Sequence, residues 1–235
     1  LAELFRAEGS PGTKNMKNTL LFSLFLILFT GAAYGQVTAP AIDTKAKATE
    51  LLTRGNALQD AGKVEEALVV YKELFTLNPK DAETATTIAG CYSQLDKPDD
   101  AIIWAKRAIE MEPKLAGARI NYGNILFLQK KYVEAEAEFR KAIELDPKEI
   151  LGTYGLAVVL QQEEKYKESL EMYLKVIETD PKMAQAIYSA AEVYYRLGQL
   201  DRSIEMVEKT LRVDPNYEGA KEMLKALKDE KAAKP

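Results

Sequence analysis

The sequence predicts an all-α fold, a solenoid of five stacked helical hairpins closed by a C-terminal cap helix. Three observations predict it. Prolines recur at Pro79, Pro113, Pro147, Pro181 and Pro215, each 34 residues after the last, and each follows a Leu, Met, Thr or Val and then an Asn, Glu or Asp. Residues aligned on those prolines repeat in size. Apolar residues fall at helical spacing in two stretches per repeat.

The register gives five units: 48–81, 82–115, 116–149, 150–183 and 184–217. The eighth place is always small (Gly55, Ala89, Gly123, Ala157, Ala191), and so is the twentieth (Ala67, Ala101, Ala135, Ser169, Ser203). The eleventh is large: Leu58, Tyr92, Leu126, Leu160, Tyr194. The twenty-fourth runs Tyr71, Ala105, Phe139, Tyr173, Val207. Small residues at matched places let two helices approach, and large ones fill the space around the contact.

Between the two stretches of each unit lies a short turn, such as Ala61-Gly62-Lys63 or Leu197-Gly198-Gln199. Pro98 suits the first position of a helix, with Asp99 and Asp100 complementing its dipole. The proline near the end of each unit cannot continue the second helix, so it stops that helix. Each unit is therefore a helical hairpin. After them, Ala220, Met223, Leu224 and Leu227 recur at helical spacing among Lys and Glu, which predicts a solvated cap helix and tail over 218–235, fraying after Asp229. One hairpin cannot bury its own apolar face, so neighbours must share a continuous core.

The pattern resembles the tetratricopeptide repeat family over all five units, 48–217. The fourth place, often Trp in the family, is Leu51, Ala85, Arg119, Thr153 and Ile187. The twenty-seventh, usually Ala, is Leu74, Val176 and Thr210 in units one, four and five, which predicts looser packing there. The resemblance implies a right-handed superhelix whose first helices line a concave groove, with the second, fifth, ninth, twelfth and thirteenth places facing it.

In units three to five those places bring forward Ile120, Asn124, Phe127 and Leu128, then Tyr154, Val158 and Gln161, then Tyr188, Glu192, Tyr195 and Arg196. Units one and two offer Leu52, Asn56, Gln59, Asp60, Thr86, Gly90, Ser93 and Gln94, a more polar and smaller set. Aromatic rings give anchor area and amides pair a ligand backbone, so the second half suits an extended peptide or partner helix. Phe127, Tyr154, Tyr188 and Tyr195 are the expected anchors. The alternative is that Tyr154 and Tyr188 only cover neighbouring helices.

The resemblance does not extend to the Lys-Asn-Arg clamp with which some family members hold acidic chaperone tails. Only Asn56, Asn121 and Asn124 occupy suitable amide places, the lysines are missing, and Arg119 and Arg196 stand alone.

The front of the chain predicts export. Met16-Lys17-Asn18 begins a weakly basic segment, an apolar run covers Leu20 to Thr30, and Ala33-Tyr34-Gly35 is a small-x-small ending. Residues 16–35 therefore read as a secretory signal peptide cut near Gln36, rather than a membrane anchor, because the run is short for a span of about 20 residues. Residues 1–15 read as a segment upstream of the native start, and 36–47, with Pro40, as a linker. A periplasmic or extracellular protein is expected.

Composition narrows the function further. Of 235 residues, 32 are Lys or Arg and 36 are Asp or Glu, a net charge of −4, without the basic stripe of a nucleic-acid binder. The chain has no histidine, which removes His-based nucleophile systems, zinc sites and pH switches. The single cysteine, Cys91, allows no internal disulfide and falls at a core place in the register. Glu65-Glu66 and Glu163-Glu164 are turn pairs, not an acid–base pair facing a cleft. No enzyme, cofactor or metal is expected. The expected partner is a protein or peptide, and the rival reading is a structural subunit or self-associating component of an envelope complex, for which Val69 and Val70 offer an exposed outer face.

Overall fold

The computed structural model describes residues 43–233, and the upstream segment, the signal peptide and the linker up to residue 42 lie outside it. Among the described residues there are helices and turns, and no strand. Hairpin one is α1 (Thr44–Asp60) and α2 (Val64–Leu77). Hairpin two is α3 (Ala82–Gln94) and α4 (Pro98–Met111), and hairpin three α5 (Ala116–Leu128) and α6 (Tyr132–Leu145). Hairpin four is α7 (Ile150–Gln162) and α8 (Tyr166–Thr179), and hairpin five α9 (Ala184–Arg196) and α10 (Leu200–Val213). The cap is α11 (Ala220–Ala233), which runs past the expected fraying point at Asp229. At the other end α1 starts at Thr44, so the last four residues of the expected linker are helical.

The turn inside each hairpin follows one rule. The fifteenth place adopts a left-handed backbone in every unit: Gly62, Asp96, Lys130, Glu164 and Gly198, with φ between 53° and 72°. The next amide then reaches back to the eleventh-place carbonyl, as in Lys63 N to Leu58 O at 2.9 Å and Lys165 N to Leu160 O at 2.9 Å. These are Schellman closures of the first helix. The turn between hairpins is set by the residue before the proline. Asp146, Asp180 and Asp214 each accept the backbone N–H two residues on, at 3.0, 2.9 and 2.9 Å.

Within a hairpin the small eighth place receives the large twenty-fourth. A Cβ added to Gly55 would lie 2.6 Å from the Tyr71 ring, and one added to Gly123 3.0 Å from Phe139. Where the twenty-fourth residue is smaller, as Ala105 and Val207, the eighth is alanine, Ala89 and Ala191. Ser169 and Ser203, both fully buried, donate to the carbonyls of Ala157 and Ala191 at 2.8 Å, which satisfies each hydroxyl.

Each helix packs on its neighbours in sequence, and the first helices α3, α5 and α7 also touch one another. The core is accordingly a relay of apolar clusters passed from hairpin to hairpin and ending on Ala220 and Leu227 of the cap. The twenty-seventh-place residues Leu74, Val176 and Thr210 are all buried, so their size brings no loosening at those positions. Missing volume at the fourth place of unit two, Ala85, sits in a cluster with Phe75 and Trp104, whose rings meet edge to face at 5.0 Å between hairpins one and two. In unit three the fourth place is Arg119, largely buried and paired with Glu138 at 2.9 Å. The outer-face expectation divides: Val69 is 67% exposed, whereas Val70 is 2% exposed and part of the core.

A charged link joins hairpins three and four. Glu136 on α6 accepts from Lys165 in the α7–α8 turn at 2.9 Å and from Arg140 at 2.6 Å. Burial pushes this carboxyl up, but the hydrogen bonds from Lys165 and Arg140 outweigh it and hold it at about 2.

Candidate functional site

The predicted residues lie on the first helices α5, α7 and α9, and the structure sorts them into three groups. Ile120 is the clear correction. It is 7% exposed and packs in the core with Phe139 and Leu156, because α7 carries Gly152 opposite it. A Cβ there would meet the Ile120 Cδ1 at 3.6 Å, so the isoleucine turns inward over a residue without a side chain.

The second group is partly buried. Phe127 meets Tyr132 of its own hairpin at 5.5 Å. Val158 packs against the core shared by hairpins four and five. Tyr154 lies 5.8 Å from the Tyr173 ring, with its hydroxyl within hydrogen-bonding reach of Ser189 and Gln185 on α9. Tyr188 stacks on Tyr217, just ahead of the cap helix, at 4.9 Å and 37°, and the Tyr217 Oη donates to Gln185 Oε1 at 2.6 Å. The Tyr154 and Tyr188 rings therefore cover neighbouring elements. Gly219, at φ 77°, brings the chain so near that a Cβ would stand 3.3 Å from the Tyr188 hydroxyl.

The third group is open: Asn124, Leu128 at 67% exposure and Tyr195 at 44%, joined by Leu151 at 53%, a second-place residue that sequence reasoning did not single out. The apolar members, Leu128, Leu151 and Tyr195, reach water from three successive first helices.

Between α7, α9 and α11 the side chains border a half-open cavity of about 220 Å³ lined by Gln161, Glu192, Tyr195, Arg196 and Met223. A polar relay runs into it. Tyr173 Oη donates to Gln161 Oε1 at 2.8 Å, and Gln161 in turn hydrogen-bonds the half-buried Glu192. Burial raises the Glu192 carboxyl above its ordinary range, only partly offset by Gln161 and the charge of Arg196. The surrounding phenols are raised too. Burial and then neighbouring groups, Glu192 among them, lift Tyr154, Tyr173 and Tyr188, and take Tyr217 to about 12.

Sequence reasoning missed Tyr217, Gln185, Ser189 and Met223. Gln185 sits at a second place, one of the lining places that the resemblance implied. Ser189 and Met223 stand at a sixth place, which the register shows opposite the preceding unit's twenty-fourth, as Gly155 stands opposite Phe139. Tyr217 falls in the inter-hairpin turn, where only the fold could bring it over Tyr188.

Comparison with known proteins agrees with the repeat. Family models described as tetratricopeptide repeat match residues 52–116, 116–149 and 160–227. The chain is 32% identical over 96 residues to the small glutamine-rich tetratricopeptide repeat-containing protein 2 of Mycosarcoma maydis, covering 41% of this chain and 27% of that protein. It is also 32% identical over 88 residues to Hsp70-Hsp90 organizing protein 1 of Glycine max, covering 37% of this chain and 15% of that one. The chain thus spans about a quarter or less of these two curated relatives. Among solved structures, pilF of Pseudomonas aeruginosa superposes with a TM-score of 0.67 at 19% identity, covering 72% of this chain and 78% of that one, which speaks to the fold alone. Five proline-registered hairpins, their small-to-large packing and three family matches along the stack agree: the chain belongs to the tetratricopeptide repeat family.

Proposed function

We propose that the protein is a non-catalytic interaction scaffold that docks an extended peptide or partner helix along the first helices of hairpins three to five. The observation that carries this reading is that three successive first helices each leave a large apolar side chain open, Leu128 on α5, Leu151 on α7 and Tyr195 on α9. Isolated exposed apolar residues are ordinary, but open apolar residues on three successive helices of a stack are what a docked segment covers. Asn124 beside it supplies an amide for a ligand backbone.

A chaperone-tail clamp, which the Hsp70-Hsp90 organizing relative brings to mind, is not this reading. Of the three candidate amides, Asn56 accepts from Tyr71 at 2.7 Å and Asn121 donates to the Thr86 carbonyl at 3.0 Å, so both serve the fold. The proposal includes export through residues 16–35. Sequencing the N-terminus of the exported protein should find Gln36, and Met16 there would contradict it.

The docking reading is tested by changing Leu128, Leu151 and Tyr195 together to Ala. These side chains are exposed, so helicity and melting should hold. Crosslinked partner recovery should fall at least tenfold, and recovery equal to wild type would overturn the assignment of this face.

The second reading, self-association, is favoured by Val69 and Ile103, which occupy the same place in hairpins one and two and are both strongly exposed. Size measured over a dilution series separates it, since a peptide receptor stays one size without its ligand.

A further inference from the structure

We infer that the cavity around Glu192 is a subsite for one basic side chain, Lys or Arg, of the docked peptide. This rests on the docking reading above and adds the chemistry that the ligand must carry. At about 220 Å³ the cavity is smaller than the roughly 300–1,000 Å³ pockets that hold drug-sized ligands, which suits a single side chain.

Its charge selects the ligand. Glu192 is half-buried, and none of the ion pairs among the described residues, at the 4.0 Å limit, includes it. Two other shielded carboxylates are ion-paired, Glu136 with Lys165 and Arg140, and Glu138 with Arg119 and Lys141, while partly buried Asp81, Glu149, Asp180 and Asp214 accept backbone N–H groups. Glu192 has the Gln161 amide and the charge of Arg196, with which it makes no ion pair. An unpaired, partly desolvated carboxylate costs stability, and a cation brought by a ligand would relieve that cost at the moment of binding.

The walls point the same way. Tyr195 lines the cavity, so a cation entering here finds an aromatic side chain beside the carboxylate. Met223 supplies an apolar wall for the methylene stem of Lys or Arg. Arg196, four residues along the same helix, also lines the cavity but is exposed and makes no ion pair with Glu192, so its side chain can swing to solvent when a basic ligand enters.

The test uses a random dodecapeptide display library selected on the full chain and on the Glu192→Gln and Glu192→Lys variants. Wild type should enrich peptides with Lys or Arg at one position. Glu192→Gln should still enrich apolar peptides but lose that basic position, and Glu192→Lys should replace it with Asp or Glu. A basic peptide selected on wild type should bind Glu192→Gln about 10- to 100-fold more weakly. The inference is overturned if Glu192→Gln keeps the basic preference, or if wild type enriches acidic residues and loses them in Arg196→Ala. Enrichment of apolar peptides without any charge preference would also overturn it, leaving the docking reading in place. Failure of every folded form to enrich peptides would instead remove the docking reading itself, and this subsite with it.

Discussion

Phe139 lies across Gly155 of the next hairpin so closely that a Cβ on the glycine would stand 2.4 Å from the ring's Cε1. The same ring covers Gly123 in its own hairpin, so one side chain locks two first helices together.

That contact reverses an ordinary rule. Alanine normally stabilises a helix over glycine by about 1 kcal/mol. At Gly155 the methyl must displace a fully buried ring, so Gly155→Ala should cost about 1–3 kcal/mol. Gly117, near the start of α5, has nothing within 4 Å of an added Cβ, and Gly117→Ala should gain a few tenths to about 1 kcal/mol. Urea unfolding of the two variants checks the opposite signs.

The intra-hairpin turns give a second pair. Glu164 holds a left-handed backbone at φ 59°, and Gly62 holds the equivalent place at 72°. Because a Cβ costs about 1–2 kcal/mol in that region, part of it offset by the greater freedom of glycine in the unfolded chain, Glu164→Gly should stabilise by about 0.5–1 kcal/mol. Gly62→Ala should destabilise by about 1 kcal/mol. Thermal melts that rank the variants the other way would contradict the Schellman assignment.

The hairpins were legible because they rest on spacing. The prolines mark every second-helix end, and the eighth and twenty-fourth places announce their packing by size. The site was less legible, because equivalent places do not meet equivalent neighbours. At the fifth place Ile120 is buried while Leu52 is exposed, and the difference is Gly152 on the following hairpin, not any property of isoleucine. Tyr154 and Tyr188 stand at lining places that suit ligand anchors, yet Tyr173 and Tyr217 lie against them. The second of these partners, Tyr217, comes from the turn after Pro215, which the repeat predicts, but its place over Tyr188 depends on how that turn leads into the cap helix.

Glu136 should make the stack acid-sensitive. Its folded carboxyl is held at about 2, below the unfolded value near 4.3, so its contribution is complete above pH 4.3 and disappears as pH falls towards 2. Since Arg140 and Lys165 are nearly half exposed, solvent screening limits that contribution to about 1–2 kcal/mol. Glu136→Gln should flatten the stability profile between pH 4.3 and 2, and an unchanged slope would contradict the link.

Glu192 should behave oppositely. Its folded carboxyl is raised, so the folded state carries a penalty that grows as pH rises from the unfolded value through the folded one and is complete above it. Glu192→Gln should therefore melt higher than wild type at pH 7, with the gain gone at pH 3. A variant that melts lower at pH 7 would show that the carboxylate is already compensated within the chain.

The most direct measurement places a photo-crosslinking residue at Leu128 or Tyr195 on the first helices, and at Val69 or Ile103 on the second. Docking along the first helices predicts the same partner adduct from both Leu128 and Tyr195, with none from Val69 or Ile103. An adduct formed only from Val69 and Ile103 would contradict it and move the interface to the second helices.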